Sequence, residues 1–463
     1  MAASPPRSRA GRRAGTGQPF DLKIERLVAG GRGLGRGPDG RVVLVPLVLP
    51  DEAVRVQPIA SRRDYTEARL LSILSPSPLR VSPPCPLFGR CGGCDLQHAA
   101  PAAQADLKTA ILTDAWQHIL GRSTGELAGV LAPPVPAPDP LGYRLRLRLH
   151  TDAAGRLGMR RALSHTLAPV RHCPVATPPV NDLLAVWADC GPARQLARRA
   201  ATVEVAAGWP PGEAFVIARL AGAAGSRERQ LARAAGAALP GCAAVAVLAR
   251  DQDSGWSTDP AARLRIRLPV GPGGPDLALA VAPGSFYQVN GRQNEALVAC
   301  VLALAQAAPG RRILDLFCGM GNLSLPLARA GAQVLGLDQA ASAIHAALAN
   351  AEAGGLAGRA RFETAEAAAG LARLQAAGRC FDLVLLDPPR GGCPEVAQLL
   401  ARSPCPAALV VSCDPVTLMR DLSTLLAAGY ALDRLQPLDM FPQTHHLETV
   451  ALLHWAGPPA AAA

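Results

Sequence analysis

The sequence predicts an α/β protein whose C-terminal part is a doubly wound parallel sheet, preceded by a small β-barrel and a central α+β region. Three observations support this prediction. Buried strand-like runs alternate with helical segments near the C-terminus, short strands broken by Gly-rich turns stand near the N-terminus, and 463 residues exceed one ordinary core. The predicted boundaries are 1–17 for a disordered basic tail, 18–80 for the barrel, 81–280 for the central domain and 281–463 for the C-terminal domain.

The composition favours a cytoplasmic globular protein with reduced thiols. Apolar residues make up 49% of the chain, yet no apolar run approaches the ~20 residues of a membrane-spanning helix. The N-terminal stretch "MAASPPRSRAGRRAGTGQP" carries four arginines and no apolar signal segment, so we expect neither export nor membrane association. In such a compartment 12 cysteines do not form a disulfide framework. Metal binding and catalysis remain as uses for them.

The charge balance points to a polyanionic partner. A net charge of +11 favours phosphate binding, although charge alone leaves an inert basic surface about equally open. In "YRLRLRLH", Arg144, Arg146 and Arg148 alternate with leucines. A strand over this stretch would be apolar on one face and basic on the other, which favours a nucleic-acid-binding surface.

Turn residues divide the N-terminal region into short strands. The run Gly30–Gly35 is a Gly-rich turn, Pro38–Gly40 is a hairpin signal and Val42–Val45 is a buried strand. Although the glycines resemble a nucleotide-binding fingerprint, no helix follows them, so that function is not supported. These features together predict the small barrel.

The central region carries few clear signals. Two stretches rich in Ala and Arg, 192–205 and 226–238, are predicted to be helical, and Pro-rich segments such as "LAPPVPAPDP" are predicted connectors. The stretch "CPLFGRCGGCDLQH" places Cys85, Cys91 and Cys94 within ten residues. For these thiols too, metal binding and catalysis both remain open at this point.

The clearest signal is "RRILDLFCGMGNLSLPLARAGAQVLGLDQA", which predicts a strand, a Gly-rich turn, a helix and a second strand ending in Asp338. Glycines at 319 and 321 let a ligand approach the turn, and an acidic side chain at the end of the second strand can accept both hydroxyls of a ribose. The full GxGxxG pattern is absent. This favours S-adenosylmethionine over a dinucleotide and makes a methyltransferase the leading prediction.

Two further motifs indicate which atom is methylated. Enzymes that methylate amino nitrogens often place an aromatic ring after "DPP", whereas Arg390 stands there in this chain. Cys413 lies between a predicted strand and a helix whose dipole would favour a thiolate, which suits covalent attack on carbon 6 of a uracil. Glu448, next to His445 and His446, is a candidate base for the proton on carbon 5.

Five motifs, "FYQVN", "DLFCGMGN", "LDPPR", "SCDP" and "DMFPQTHHLE", occur in this order and together closely resemble the bacterial RNA uracil-5-methyltransferases, specifically the branch that modifies 23S ribosomal RNA. The resemblance covers nearly the whole chain. It implies a class I methyltransferase domain at the C-terminus and an OB-like, RNA-binding TRAM barrel at the N-terminus.

The resemblance also assigns roles to individual residues. It implies that Cys413 is the nucleophile and Glu448 the base, and that Asp414 stands where relatives usually have Asn. The implied contacts to S-adenosylmethionine are Gln288, Phe317, Asn322, Asp338, Glu366 and Asp387, of which Glu366 is the contact after the third strand.

The spacing C-x5-C-x2-C, together with Cys173 in "RHCPV", resembles the iron-sulfur motif of the same family. Four thiolates suit a [4Fe-4S] cluster held by Cys85, Cys91, Cys94 and Cys173. Zinc is the alternative, although two C-x2-C knuckles would be its commoner pattern. The expected partner is RNA, with 23S ribosomal RNA preferred over transfer RNA, and the expected state is a monomer. A non-catalytic RNA-binding iron-sulfur protein is a further alternative.

Overall fold

The computed structural model describes residues 17–161, 166–250, 255–269 and 276–458. The predicted basic tail therefore lies outside the described residues except for Gly17. Among the helices in these ranges, none has the length and apolar character needed to cross a membrane.

A closed five-stranded barrel forms the N-terminal part, as the sequence predicts. Its strands are β1 (Phe20–Val28), β2 (Arg32–Arg36), β3 (Val42–Val45), β4 (Ala53–Ser61) and β5 (Tyr65–Ser75). They pair in the order β1-β2-β3-β5-β4, and the predicted hairpin at Pro38–Gly40 joins β2 to β3. Alternating apolar side chains such as Ile24, Val43 and Val54 fill the interior. Because the barrel is closed, the backbone N–H and C=O groups that the edge strands of an open sheet would expose are paired.

The described residues of the central region form a mixed sheet, a separate hairpin and five helices. The helices are α1 (Pro101–Leu120), α2 (Thr124–Ala128), α3 (Pro178–Trp187), α4 (Gly191–Ala197) and α5 (Ser226–Ala238). The strands are β6 (Arg146–Thr151), β7 (Leu157–Arg160), β8 (Leu167–Pro169), β9 (Ala200–Ala207), β10 (Ala214–Leu220), β11 (Cys242–Ala249), β12 (Gly255–Ser257), β13 (Leu264–Leu268) and β14 (Leu277–Val281). The sheet has the order β12-β11-β10-β9-β6-β7-β8, and β13 pairs with β14.

Two expectations about this region need correction. The helix predicted over 192–205 ends at Ala197, and Ala200–Ala207 forms β9, which pairs with both β6 and β10. Pairing on both edges within a buried sheet outweighs the helical preference of alanine. The second correction concerns the basic strand predicted from "YRLRLRLH". This strand is β6, which begins at Arg146, so Arg144 lies before it.

The helix predicted over 226–238 is confirmed as α5.

The C-terminal part is the predicted doubly wound α/β sheet. Its helices are α6 (Gly291–Ala305), α7 (Ser324–Arg329), α8 (Ala341–Ala353), α9 (Ala367–Ala376), α10 (Pro394–Arg402) and α11 (Pro415–Ala428). Its strands are β15 (Arg312–Leu316), β16 (Gln333–Asp338), β17 (Ala360–Thr364), β18 (Leu383–Leu386), β19 (Ala407–Ser412), β20 (Tyr430–Leu438) and β21 (Glu448–Trp455). The order is β17-β16-β15-β18-β19-β21-β20, and β21 runs antiparallel to both of its neighbours.

The apolar cores cross the predicted domain boundaries. One cluster joins Ile266 and Leu279 of the hairpin to Leu297 of α6 and to the parallel sheet. Another joins Leu112 and Trp116 of α1 to the other face of that sheet. Helix α1 therefore packs against the C-terminal part, and it also contacts β1 of the barrel. A third cluster joins Leu27 of β1 to Leu107 and Ile111 of α1, so the apolar cores link the barrel, α1 and the parallel sheet.

Candidate active site

The Gly-rich turn after β15 is built from residues in left-handed backbone conformations. Phe317, Gly319 and Gly321 have φ angles of +67°, +56° and +92°. Such angles reverse the chain between strand and helix, and glycine adopts them without strain. The Gly319 N–H donates to Asp338 Oδ2 at 2.9 Å, and the Ala340 N–H donates to Asp338 Oδ1 at 2.8 Å. The carboxylate at the end of β16 is thereby held against the turn, where a ribose could reach it.

Two other polar groups fix the same turn. Asn322 and Asn294 of α6 exchange reciprocal side-chain hydrogen bonds of 2.9 Å each. Asp315 is buried and accepts a hydrogen bond from the Ser324 hydroxyl, and burial raises the pKa of this carboxyl to about 8. A neutral, hydrogen-bonded Asp315 stabilises the turn without placing a charge in the core.

The proposed nucleophile and base lie on neighbouring strands. Cys413 follows the last residue of β19, and Glu448 is the first residue of β21. Because β21 is antiparallel to β19, with Ser412 opposite Thr449, the start of β21 lies at the same edge of the sheet as the end of β19. Asp387 follows β18, the next strand along this edge. Three side chains from distant positions in the sequence therefore meet at one edge.

Burial and like charges govern the protonation of this group. Glu448 is 3% exposed, and burial, followed by the nearby Asp387, raises the pKa of its carboxyl, while Arg390 opposes the shift. Burial likewise raises the pKa of Asp387. Two such carboxyls cannot both ionise cheaply in a poorly solvated site, so the pair retains a proton near neutral pH. A carboxyl with a raised pKa is a stronger base once it is ionised.

The surroundings of Cys413 favour the protonated form of its thiol. Burial, followed by Glu448, raises its pKa to about 11, and Arg390 lowers it. Burial and the neighbouring carboxyls thus act against the thiolate that the α11 dipole is expected to favour. Asp414 contributes to this effect because its carboxylate caps α11, accepting from the N–H groups of Val416 at 2.9 Å and Thr417 at 3.1 Å. The helix N-terminus is thus occupied by a carboxylate and not by the thiol.

The remaining cofactor candidates lie in different settings. Gln288 is buried in the segment between β14 and α6, and Phe317 is half-buried in the Gly-rich turn. Glu366 is exposed at the start of α9, where its carboxylate accepts from the N–H groups of Ala368 at 3.0 Å and Ala369 at 2.8 Å. Both of its oxygens therefore serve as a helix cap in the ligand-free protein.

The four predicted cluster ligands are half-buried free thiols. Cys94 interacts electrostatically with Cys173 and Cys91, and Cys91 with Cys85, so two chain segments bring the thiols into one neighbourhood. The Gly93 N–H donates to Cys91 Sγ at 3.4 Å, a contact that stabilises a thiolate ligand. In the part of the chain that the structure describes, no group of three or more His, Cys, Asp or Glu is arranged to hold a metal ion. The [4Fe-4S] cluster therefore stays a prediction. The four thiols are suitable donors for such a cluster.

Sequence reasoning missed the polar contacts that hold the segment before Glu448. Lys108 of α1 is fully buried, and its Nζ lies 2.5 Å from Asp439 Oδ1 and donates to the Phe441 carbonyl at 2.9 Å. Gln104, one helical turn earlier, bonds to Gln443. The available signal was the helical spacing of Gln104 and Lys108 among the apolar residues of the buried face of α1. Sequence reasoning also missed the electrostatic effect of Arg390 on Cys413 and Glu448, because the sequence shows only that an arginine stands where other methyltransferases have an aromatic ring.

The sheet order, the Gly-rich turn and the carboxylate at the end of β16 define the class of protein, an S-adenosylmethionine-dependent methyltransferase of the doubly wound α/β type. Comparison with known proteins refines this assignment. The sequence profile described as tRNA (uracil-5-)-methyltransferase matches residues 267–455. Proteins named 23S rRNA (uracil(1939)-C(5))-methyltransferase RlmD match nearly end to end. The one from Shewanella sp. (strain W3-18-1) is 35% identical over 94% of this chain and 95% of its own length. The one from Alkalilimnicola ehrlichii is 37% identical over 94% and 96%.

A solved structure agrees with this assignment. Pyrococcus abyssi tRNA (uracil-54, C5)-methyltransferase, in complex with S-adenosyl-L-homocysteine, superposes with a TM-score of 0.70 and 25% identity over 94% of this chain and 100% of that one. This chain belongs to the RNA uracil-5-methyltransferase family. The predicted resemblance and the predicted enzyme class are confirmed.

Proposed function

We propose that this protein methylates carbon 5 of a uridine in 23S ribosomal RNA through a covalent bond between Cys413 and carbon 6 of the base. The observation that carries the proposal is the antiparallel register of β19 and β21, with Ser412 opposite Thr449. It brings a thiol and a buried carboxyl to one edge of the sheet beside Asp387, which are the groups that addition and elimination at a uracil ring require.

Each side chain has a distinct task in the proposed reaction. The Cys413 sulfur adds to carbon 6, and the resulting enolate makes carbon 5 nucleophilic. S-adenosylmethionine supplies an electrophilic methyl group when it is bound. Glu448 then removes the proton from carbon 5, the bond between sulfur and carbon 6 breaks, and the electron pair returns to sulfur. Asp338 and Asn322 are the proposed contacts that orient the nucleoside and the Gly-rich turn.

Cys413 must lose its proton before it attacks. Arg390 lowers the pKa of this thiol and acts against the effects of burial and of Glu448. Arg390 also interacts with Glu448, so one guanidinium faces both reacting groups. We assign it the task of favouring the thiolate and keeping Glu448 ionised when substrate excludes water from the site.

The choice of 23S ribosomal RNA is supported by the names of the curated relatives that match along nearly their whole length. The second candidate is the same chemistry on a transfer RNA, and the observation that favours it is the structural match to a tRNA (uracil-54, C5)-methyltransferase. In either case the base must leave its stack, since a sulfur and a methyl donor approach opposite faces of the ring.

We further propose that Cys85, Cys91, Cys94 and Cys173 hold a [4Fe-4S] cluster. The thiols come from two segments that are remote in sequence, and their mutual electrostatic interactions support a shared site. A cluster there would link the two segments and shape the surface that contacts RNA. We assign it no redox task. We also propose that the protein acts as a monomer in the cytoplasm.

The decisive experiment maps 5-methyluridine in ribosomal and transfer RNA from a strain that lacks this gene. Loss of one 5-methyluridine from 23S ribosomal RNA, restored by the gene on a plasmid, is the expected result. Loss from transfer RNA alone would select the second candidate, and an unchanged methylation map would refute both. In vitro, RNA carrying 5-fluorouridine should form a slow-migrating protein-RNA band, because fluorine blocks the final deprotonation.

A further inference from the structure

We propose that His445 is a positioning residue that locks the segment carrying the base to the barrel. Residues 439–447, which lead into the proposed catalytic base Glu448, are called the base loop. The barrel turn is Gly30 and Gly31, which lie between β1 and β2. The inference rests on the proposed function, in which Glu448 removes the proton from carbon 5. It assigns to the barrel a direct part in placing that base, beyond binding RNA.

The first observation is the fit of the barrel turn against His445. A Cβ atom built at Gly31 would lie 2.6 Å from His445 Cβ and 3.2 Å from its Cγ, which is closer than side-chain carbons approach. At Gly30 a Cβ would meet Arg32 Nε at 3.7 Å, an ordinary contact. Both glycines have positive φ angles, +81° for Gly30 and +66° for Gly31. The two positions therefore share backbone strain and differ in their contact with His445.

The second observation is that the His445 ring is held on its other sides. Its Nδ1 lies 2.5 Å from Asp95 Oδ2, and its backbone N–H donates to Asp95 Oδ1 at 2.8 Å. The ring also packs on His446 with centroids 4.2 Å apart. His446 in turn meets the edge of Phe441 at 5.8 Å. The half-buried imidazole is thus contacted by the barrel turn, by the segment that follows Cys94 and by the base loop itself.

The third observation concerns the other end of the base loop. Lys108 and Gln104 of α1 hold Asp439 and Gln443, as described above, and the Tyr143 hydroxyl donates to the Pro442 carbonyl at 2.8 Å. These contacts fix the loop up to Gln443 but lie farther along the chain from Glu448. His445, three residues before Glu448, continues this fixation toward the base.

A displacement of the base loop at His445 should therefore act on one chemical step. Cys413 directly follows β19, outside the base loop, so its attack on carbon 6 and the methyl transfer should continue. Removal of the proton from carbon 5 should slow because Glu448 is displaced, and misplacement by about 1 Å can cost about 10²-fold in rate. The methylated adduct between Cys413 and RNA should then accumulate.

The test compares Gly31→Ala with Gly30→Ala in the full chain, purified with any cluster it binds. Gly31→Ala should lower kcat by about 10- to 100-fold with KM for RNA changed less than about 3-fold, and it should trap adduct on unmodified uridine RNA. Gly30→Ala shares the backbone strain and should leave the ratio of adduct to released product as in the unmutated enzyme. Thermal unfolding of both variants measures their common loss of stability.

A second variant, His445→Ala, removes the ring while Gly31 stays in place, and it should also trap adduct. If both Gly31→Ala and His445→Ala show the same ratio of adduct to product as Gly30→Ala, the positioning role is refuted. The unmutated enzyme separates the two hypotheses. If it does not methylate uridine at carbon 5, the proposed function fails, whereas a working enzyme with equal ratios in all variants refutes only the role of His445.

Discussion

Two regions of this protein hold half-buried thiols, and they differ in what surrounds them. At the edge of the parallel sheet, burial and the neighbouring Glu448 raise the pKa of Cys413 to about 11, while Arg390 lowers it. In the cysteine region, burial raises the pKa of Cys94 to about 12, and the neighbours that follow are Gln97, Cys173, Cys91 and Arg144. Burial raises the pKa of both thiols, so the direction of the shift alone does not distinguish a nucleophile from a ligand.

The neighbours make the distinction. A lone thiol can pass its proton to a neighbouring carboxylate while an arginine stabilises the thiolate, and the thiolate can then attack a substrate. Several thiols that lie together without a nearby base release their protons when a metal ion binds to their sulfur atoms. The charges around a half-buried cysteine therefore decide which chemistry it can perform.

Replacing Cys413 with alanine should abolish methylation, a loss on the order of 10⁴-fold or more, while binding of S-adenosylmethionine is retained. The reason is that the enolate cannot form without the sulfur. The measurements are transfer of labelled methyl to RNA and calorimetric binding of the methyl donor. Cys380→Ala, at an exposed thiol, is the control and should keep full activity. An adduct with 5-fluorouridine RNA that maps to Cys318 or Cys393 would show that the nucleophile is misassigned.

Glu448→Gln should slow turnover by about 10²- to 10⁴-fold and trap a covalent adduct on ordinary uridine RNA. Attack and methyl transfer need only the sulfur and the donor, whereas release needs a base. Denaturing gels and peptide mapping check the outcome, with the exposed Glu352→Gln as the control. Slow turnover without any adduct would mean that Glu448 acts before the methyl transfer.

The cysteine region should respond in a different way. Protein purified without oxygen should be brown, and Cys91→Ser together with Cys94→Ser should remove the broad absorbance and the bound iron. Ligand loss is expected because a four-thiolate site does not retain its metal with two thiolates. Cys380→Ser should leave the spectrum unchanged. Stoichiometric zinc with no iron in the unmutated protein would contradict the cluster assignment.

The pH dependence of Cys413 alkylation sharpens the comparison further. With a pKa raised to about 11, the thiol of the ligand-free protein should react with iodoacetamide increasingly as the pH rises above neutral. Glu448→Gln removes a negative neighbour and should shift the midpoint to lower pH. Arg390→Gln removes a positive neighbour and should shift it to higher pH. Mass spectrometry of the alkylated peptide measures the shift, and two shifts of the same sign would refute the electrostatic account.

The smallest effect is expected from the basic strand. Arg146 and Arg148 lie 3.8 Å and 3.1 Å from the carboxylate of the buried Glu204, which offsets part of their charge. Arg144 instead interacts with Cys94 and Cys173. Replacing all three with glutamine should weaken RNA binding and flatten its salt dependence by roughly one unit per lost phosphate contact. Binding titrations over a salt series check this, with Arg229→Gln on α5 as the control. An unchanged slope would place the RNA elsewhere.

The sequence predicted the parallel sheet well and the central region poorly, for a physical reason. Strands such as β15 and β18 are buried on both faces, so their apolar runs identify them without knowledge of their partners. The stretch 200–207 is rich in alanine and becomes a strand only because β6 and β10 pair with it on both sides. Its conformation depends on residues far away in the sequence, which no local pattern contains.

By itself the sequence determined the barrel, the order of strands and helices at the C-terminus, and the family through the spacing of its motifs, because these depend on periodicity, turn residues and residue identity. Only the tertiary structure decided that β21 is antiparallel, so that Glu448 meets Cys413, and that Gly31 of the barrel packs against His445. Strand direction and contacts between distant segments arise from the packing of shared apolar cores. Burial in those cores also determined the raised pKa values of Cys413 and Glu448, because desolvation depends on everything that surrounds a side chain.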